Sequence, residues 1–175
     1  LFIRRGIRPL FSLVCGGGQE KKRRGGTENV AGIVGFGRAC QLATERLDRG
    51  EAERMKKMRD WLWGRIQRSI PGAKLFGDPD NRLPNTLGCG FEGVEGETLL
   101  IALDMEGISV STGSACSSGA GLLSPVLAAM QVPMDWINSS LRLSLGWGNT
   151  PDEMEKVAET LAQAVRRGRE RAFPG

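Results

Sequence analysis

Residues 141–145 alternate leucine with a polar residue, and this period of two constrains the fold more than any other stretch. Side chains along a strand point alternately to opposite faces, so the leucines would face a core while Arg142 and Ser144 share the other face. A capping box follows, with Thr150 paired to Glu153 and Pro151 between them, and apolar residues then recur at helical spacing. The sequence therefore predicts a half-buried strand that leads into a terminal helix.

Strand and helix patterns interleave through the second half of the chain. Further strands are predicted at residues 74–76, 87–91 and 108–111, and helices at 97–105 and 125–130. Such interleaving predicts an α/β or α+β layer domain. Upstream, strands are predicted at residues 1–3 and 10–14, followed by helical spacing from Val30 that weakens at Gly50. The second helical segment carries an apolar stripe, which we interpret as core and which consists of Met55, Met58, Leu62 and Ile66.

The cysteine and histidine counts exclude several classes of site. The chain has four cysteines and no histidine. It therefore contains no Cys–His or Ser–His nucleophile and no Cys/His zinc site. The cysteines do not form CxxC pairs, so no metal site is predicted from them. They are Cys15, Cys40, Cys89 and Cys116. A chain of this size and apolar content does not need disulfides, which favours a reducing, cytoplasmic environment.

Positive charge is concentrated near the N-terminus. The net charge is +4, and residues 1–25 hold seven basic residues against Glu20 alone. Such a block contacts phosphate or nucleic acid in some proteins and is a solvated edge in most. No aromatic RNA-binding motif interleaves it, so nucleic-acid binding is not predicted. No apolar run reaches the ~18–20 residues of a membrane span. The lack of an initiator Met leads us to expect a fragment.

Two segments of small residues are candidate sites. Residues 110–121 hold Cys116 among Gly, Ser, Ala and Thr, with no charged residue. Such a loop can carry a reactive thiol, and a small buried cysteine in a turn fits the same pattern. Before the first long helix, Arg24, two glycines and Thr27 supply charge, backbone N–H groups and a hydroxyl. That segment fits either an anion site or plain capping by Thr27, and the pattern leaves both open.

Three blocks of sequence together resemble the signatures of one family. They read GGGQE with RGGTENV at residues 16–20 and 24–30, LPNTL with GVEGE at 83–87 and 93–97, and SACSS with SLRLSLG at 114–118 and 140–146. In this order they resemble the pyridoxal-phosphate-dependent cysteine desulfurases of the iron–sulfur-cluster and nitrogen-fixation type, within the class V aminotransferases. The resemblance covers nearly the whole chain and implies the C-terminal part of an α/β, fold type I transferase.

The resemblance implies roles for three residues. Cys116 matches the catalytic cysteine that takes sulfur from cofactor-bound L-cysteine and becomes a persulfide, leaving alanine. Arg142 matches the arginine that binds the substrate carboxylate. Thr27 matches a threonine that reaches the cofactor phosphate of the partner subunit in a homodimer. The implied partners are L-cysteine, the second subunit, and an iron–sulfur scaffold or another sulfur acceptor protein.

The chain departs from the family where the cofactor would be attached. The family's Ser-x-His-Lys-like segment has no counterpart, no lysine stands in a matching context, and the histidine that stacks on the cofactor is absent. We therefore expect residues 1–47 to end the large cofactor-binding domain, and residues 48–175 to form the small α/β domain that carries the Cys116 loop. Alone, the chain is expected to bind no pyridoxal phosphate as a Schiff base and to be inactive.

The first loop also departs from the family pattern. Cys15 stands where the family commonly has His, Gly25 stands where it commonly has Ser, and residues 21–23 replace a segment that usually contains Gly. Other functions stay open from the sequence. A selenocysteine lyase or another class V aminotransferase carries similar blocks, although a cysteine in a long small-residue loop favours the desulfurase. A non-catalytic sulfur-carrier or interaction module, made of the small domain without its cofactor half, is the alternative of a different class.

Overall fold

A computed structural model of the chain describes residues 3–7, 11–112 and 124–172. The chain divides into two compact units, Leu1–Asp48 and Arg49–Gly175. Helices and strands follow in the order α1 Gln19–Lys22, α2 Val30–Asp48, α3 Glu51–Ser69, β1 Ala73–Leu75, β2 Thr86–Phe91, α4 Gly96–Asp104, α5 Pro125–Ala129, α6 Met134–Asn138, β3 Ser140–Ser144 and α7 Pro151–Ala172. None of the helices in the described ranges is both long and apolar enough to cross a membrane.

The described residues of the first unit form loops, the short segment α1 and one long helix, α2. The strand predicted at residues 10–14 is wrong over its described part, 11–14, where Phe11 and Leu13 are 98% and 99% exposed. The strand predicted at 1–3 is also absent at its described residue, Ile3. No layer within the described part of this unit covers these side chains, so their apolar character does not produce a strand. Helix α2 likewise has no buried residue.

The short segment α1 is a left-handed turn and not a regular helix. Glu20, Lys21 and Lys22 have φ values of 50°, 58° and 66°. For residues other than glycine this conformation costs about 1–2 kcal/mol each, because Cβ approaches the following carbonyl. The strain therefore falls on residues 20–22, in the first loop of the chain.

The second unit is built on a three-stranded antiparallel sheet in the order β1-β2-β3. The predicted alternation in β3 is confirmed, since Leu141 and Leu143 are buried while Arg142 and Ser144 are exposed. The strand predicted at 108–111 is wrong except for one residue, because only Ser111 forms a bridge to β3.

Helices α3, α4 and α7 enclose the core together with the leucine face of the sheet. Helix α7 packs against both α3 and α4. The predicted stripe of α3 is confirmed as core at Met58, Leu62 and Ile66, with 8%, 1% and 0% exposure, whereas Met55 is half-buried. The predicted break near Gly50 is also confirmed, because this residue has φ +81° and separates α2 from α3. Buried side chains of the sheet in this core are Leu87, Cys89, Phe91, Leu141 and Leu143.

The opposite face of the sheet is only partly covered. Phe76 and Trp136 meet edge to face there, with ring centroids 6.4 Å apart. They lie over Gly90, where a Cβ would come within 2.7 Å of the Phe76 ring. The same face carries Arg142 farther along the sheet.

The terminal helix begins as its sequence predicts. The Thr150 N–H donates to Glu153 Oε2 at 3.0 Å, and the Glu153 N–H donates to Thr150 Oγ1 at 3.3 Å. Asn149 Nδ2 also donates to Glu153 Oε2 at 3.0 Å. These bonds favour the charged carboxylate and lower the pKa of Glu153, with the Asn149 side chain as the main cause and the Thr150 N–H next.

Candidate functional site

Arg142 lies at the centre of β3, between two small neighbours. On one side it pairs with Gly88 of β2, which presents no side chain to it. On the other side it bridges to Ser111. A Cβ at Gly88 would make only an ordinary contact, 4.0 Å from Phe76 Cβ, so the space beside Arg142 is open. This arrangement leaves the guanidinium room to reach a ligand on the solvent-facing side of the sheet.

Ser111 holds Arg142 through both main chain and side chain. The Arg142 N–H donates to the Ser111 carbonyl at 2.7 Å, and the Ser111 N–H donates to the Arg142 carbonyl at 3.1 Å. In addition, Arg142 Nη2 donates to Ser111 Oγ at 3.2 Å. The chain thereby fixes the start of the small-residue segment next to the arginine. Cys116, predicted as the nucleophile, lies outside the described residues.

A cavity of about 300 Å³ adjoins Arg142 on the same face of the sheet. Its walls are mainly apolar and come from Phe76, α5 and the sheet, with Arg142 and Arg82 as its charged residues. Arg82 Nη2 donates to the Phe76 carbonyl at 2.8 Å. Burial is the main cause that lowers the pKa of Arg82, and the charge of Arg59 lowers it further.

The sequence block that begins at Leu83 has a structural role next to this cavity. The buried Arg59 donates to the Leu83 carbonyl at 2.7 Å. The Leu145 N–H donates to the Asn85 carbonyl at 2.8 Å, and Asn85 Nδ2 returns a bond to the Leu145 carbonyl at 3.3 Å. These contacts join the start of β2 to the end of β3 and so support the strand that carries Arg142.

The block around Gly96 supports the same strand from its other end. A Cβ at Gly96 would lie 2.6 Å from the Ser140 carbonyl oxygen and 3.2 Å from that of Asn138. Only glycine fits, because both neighbours are backbone atoms that cannot swing aside. The beginning of α4 therefore rests directly on the residue that opens β3.

Thr27 belongs to the first unit and lies in an exposed loop before α2. The Arg24 guanidinium binds this loop from within, donating to the carbonyls of Gly25, Gly26 and Thr27 at 3.0, 2.7 and 3.0 Å. Within the described residues, the N–H groups of Gly26, Thr27 and Glu28 donate no hydrogen bond. Arg24 thus binds the carbonyl oxygens of the loop, while the N–H groups of residues 26–28 and the Thr27 hydroxyl lie in an exposed stretch.

Of the two interpretations that the sequence leaves open for the Thr27 segment, capping of the first long helix by Thr27 is wrong. Helix α2 begins at Val30, and Asn29 Oδ1 accepts the Gly32 N–H at 3.0 Å. The residue directly before the helix has the cap geometry, and asparagine is at least as good a cap as threonine. Thr27 precedes Asn29 by two residues and lies too far from the first turn of α2 for its hydroxyl to cap the helix.

Three contributors to the site were not predicted from the sequence. Ser111 and Gly96 act through close contacts with β3, and Arg82 lines the cavity beside Arg142. Ser111 had a local signal, because it ends a short apolar stretch that was expected to be a strand. The contact of Gly96 with Ser140 joins residues far apart in sequence, so no local pattern indicates it.

Comparison with known proteins places this chain in a family. The class V aminotransferase family matches residues 14–157. A cysteine desulfurase IscS of Clostridium botulinum is 44% identical over 172 residues, which cover 97% of this chain and 43% of the relative. A cysteine desulfurase IscS of Dictyoglomus turgidum is 41% identical over 167 residues, covering 95% of this chain and 42% of the relative.

Solved structures agree with the fold. A NifS-like protein superposes with a TM-score of 0.82 at 34% identity, covering 95% of this chain and 41% of that one. A NifS-like protein from Rickettsia africae gives 0.77 at 31% identity, covering 89% and 40%. The predicted α/β, type I transferase architecture is confirmed by these likenesses. The chain spans less than half the length of the relatives that it matches. The match over most of its residues shows that the chain belongs to the class V aminotransferase family.

Proposed function

We propose that the protein containing this chain is a cysteine desulfurase, which converts L-cysteine to L-alanine and leaves the sulfur as a persulfide on Cys116. The observation that carries the proposal is the bridge between Arg142 and Ser111. It joins a cation suited to a carboxylate to the segment that leads to Cys116. The matching relatives named cysteine desulfurase support the same reaction.

In this proposal Arg142 binds the substrate carboxylate. A guanidinium forms a planar fork of N–H donors that matches the two oxygens of a carboxylate. Arg142 is exposed on its strand, and open space lies beside it over Gly88. Its backbone is fixed on both sides by hydrogen bonds to β2 and Ser111. A fixed backbone with an exposed fork suits repeated binding of the same small anion.

Cys116 is the proposed acceptor of sulfur. Its thiolate attacks the sulfur atom of L-cysteine, a new S–S bond forms, and the substrate's carbon–sulfur bond breaks. The electron pair of that bond stays on carbon, which takes up a proton to give alanine. Atoms and charge balance without an external oxidant, because L-cysteine and a thiol become L-alanine and a persulfide.

Pyridoxal phosphate is the proposed cofactor, and it supplies an electron sink for the substrate's carbon atoms when bound. The loop from Arg24 to Asn29 fits its phosphate, because the loop's exposed N–H groups and the Thr27 hydroxyl can donate hydrogen bonds to an anion. The Gly26 and Thr27 carbonyl oxygens, which would repel an anion, are already bound by Arg24. We propose that Thr27 serves the phosphate of the partner subunit in a homodimer. The exposed apolar side chains of α2, including Phe36 at 74%, suit burial by parts of the full protein or its partner.

The lysine that would hold the cofactor is proposed to lie outside this chain. Lys74 Nζ lies 5.2 Å from the Trp136 ring centre, and Lys156 Nζ donates to the Glu106 carbonyl at 3.1 Å. Lys21 and Lys22 belong to the strained left-handed turn. We also propose that residues 1–47 end the large domain and that this chain alone is inactive. A cytoplasmic location and transfer to an iron–sulfur scaffold or other acceptor complete the proposal.

The experiment replaces Cys116 in the complete protein. Cys116→Ala and Cys116→Ser should abolish sulfide release from L-cysteine in the presence of dithiothreitol, because the carrier of sulfur is lost. Cys40→Ser is the matched control, since Cys40 is an exposed cysteine on α2, and it should keep the activity of the unmodified protein. Undiminished sulfide release by both Cys116 variants would refute the assignment.

A further inference from the structure

We propose that Ser111 is a positioning residue that orients the Arg142 guanidinium toward the carboxylate of an amino-acid substrate. The inference rests on the proposed function, because Arg142 must bind that carboxylate for its orientation to matter. Ser111 itself need not touch the substrate. It acts through a side-chain hydrogen bond to Arg142, with Oγ 3.2 Å from Nη2.

The geometry separates the side-chain bond from the backbone bridge. The bridge uses only main-chain groups, at 2.7 Å and 3.1 Å, and would persist without the Ser111 hydroxyl. The backbone bridge fixes the position of the Arg142 main chain, whereas the Ser111 hydroxyl restricts the position of the Arg142 guanidinium. An arginine side chain has many rotamers. A hydrogen bond that already restricts them in the free protein reduces the conformational entropy that the side chain loses when a ligand binds.

The opposite side of β3 cannot supply the same restraint. Gly88 pairs with Arg142 there and has no side chain. The side-chain restraint therefore comes from the Ser111 side of β3, and the space over Gly88 stays open beside the guanidinium. A guanidinium carries five N–H donors in a planar fork, so a bond from Nη2 to a hydroxyl is compatible with a two-point contact between the fork and a carboxylate.

The test measures Ser111→Ala and Ser111→Thr in the complete protein with its cofactor. Removing one hydrogen bond of this kind changes an equilibrium by about 3- to 10-fold. Ser111→Ala should raise the KM for L-cysteine by about that factor while kcat changes less than about twofold. Ser111→Thr keeps a hydroxyl and should restore KM to within about twofold of the unmodified protein.

The control variant is Ser109→Ala, which removes an exposed hydroxyl from the same segment without touching Arg142. It should leave KM unchanged. Cysteamine, which is L-cysteine without its carboxylate, provides a second probe as a competitive inhibitor. Its inhibition constant should be the same for Ser111→Ala and the unmodified protein, because no carboxylate reaches Arg142.

Two results would overturn the inference while leaving the proposed function intact. In one, Ser111→Ala has the same KM as Ser109→Ala. In the other, Ser111→Ala weakens L-cysteine and cysteamine equally, which would indicate a general structural effect. Arg142→Lys tests the premise separately, since lysine cannot make the two-point contact. An unchanged KM in Arg142→Lys would refute the carboxylate role and the inference together.

Discussion

Replacing Gly96 with alanine should destabilise the second unit at the strand that carries Arg142. The added Cβ would lie 2.6 Å from the Ser140 carbonyl oxygen. Ser140 opens β3, and its hydroxyl is already bound to the Ile137 carbonyl at 2.7 Å. The strand and the first turn of α4 must therefore move apart by several tenths of an ångström.

The size of the effect follows from two opposing terms. Forcing extra volume into a packed interior costs about 1–3 kcal/mol. Alanine recovers part of this, because glycine is less favourable than alanine in a helix by up to about 1 kcal/mol. We expect a net loss of about 1–2 kcal/mol in the free energy of unfolding. Gly96 is at the first helical position, where the propensity gain is small, so the steric cost dominates.

Gly64→Ala is the matched control, because it makes the same chemical change inside α3. A Cβ there would meet Arg68 Nη1 at 3.5 Å, which is an ordinary contact with a flexible group. This variant should be more stable than the original by about 0.5–1 kcal/mol. The two glycine-to-alanine changes are thus expected to have opposite signs.

Urea denaturation followed by tryptophan fluorescence measures both variants. The chain has four tryptophans, and all lie in the second unit, at positions 61, 63, 136 and 147. The midpoint should fall for Gly96→Ala and rise for Gly64→Ala with the slope unchanged. If Gly96→Ala is as stable as the original chain, the close approach of α4 to β3 is wrong.

Three further predictions concern charge, the first loop and a buried thiol. The hydrogen bonds of Glu153 lower its pKa, so they stabilise the fold above the ordinary glutamate pKa of about 4.3, and this contribution is lost as pH falls toward the lowered value. In Glu153→Gln, the melting temperature should therefore fall less steeply between neutral and acidic pH than in the original chain. An unchanged pH dependence of the melting temperature would contradict this prediction. Gly25→Ser should lower the melting temperature of the chain, since a Cβ there lies 2.8 Å from backbone atoms of Cys15 and Gly16; a stability equal to the original would show that the loop relaxes freely. Burial raises the pKa of Cys89 to about 12, so its thiol stays protonated and unreactive at pH 8. Iodoacetamide at pH 8 should therefore modify the exposed Cys15 and Cys40 but not Cys89 in the folded chain, as measured by peptide mass spectrometry. Equal labelling of Cys89 would contradict its burial.

The sequence predicts the elements whose causes are local. The alternation at residues 141–145, the capping box at Thr150 and the stripe through Met58 each depend on near neighbours, and the structure confirms all three. The break at Gly50 is local in the same sense, since only its own backbone conformation separates the two helices.

Predictions failed where packing decides the outcome. Residues 11–14 have strand-like composition, yet within the described chain they pair with no neighbouring strand, and their apolar side chains remain exposed. Ser111 joins β3 by a single bridge, which a periodic pattern cannot distinguish from a full strand. Capping of α2 by Thr27 was one of two interpretations that the sequence left open, but Asn29 is closer to the first turn and takes that role.

The candidate site was only partly accessible from the sequence. The exposed placement of Arg142 follows from its strand pattern. Its contact with Ser111 does not, because it depends on how two distant segments pair. The roles of Cys116, Arg142 and Thr27 came from a family resemblance and stay proposals.

The most direct test of the central claim is the mass of the peptide containing Cys116. The complete protein would be incubated with L-cysteine without reductant, alkylated, digested and examined by mass spectrometry. We predict an added sulfur atom on Cys116, removed by dithiothreitol, and none on Cys40 or Cys89. An unmodified Cys116 in a preparation that converts L-cysteine to L-alanine would contradict the claim that this residue carries the sulfur.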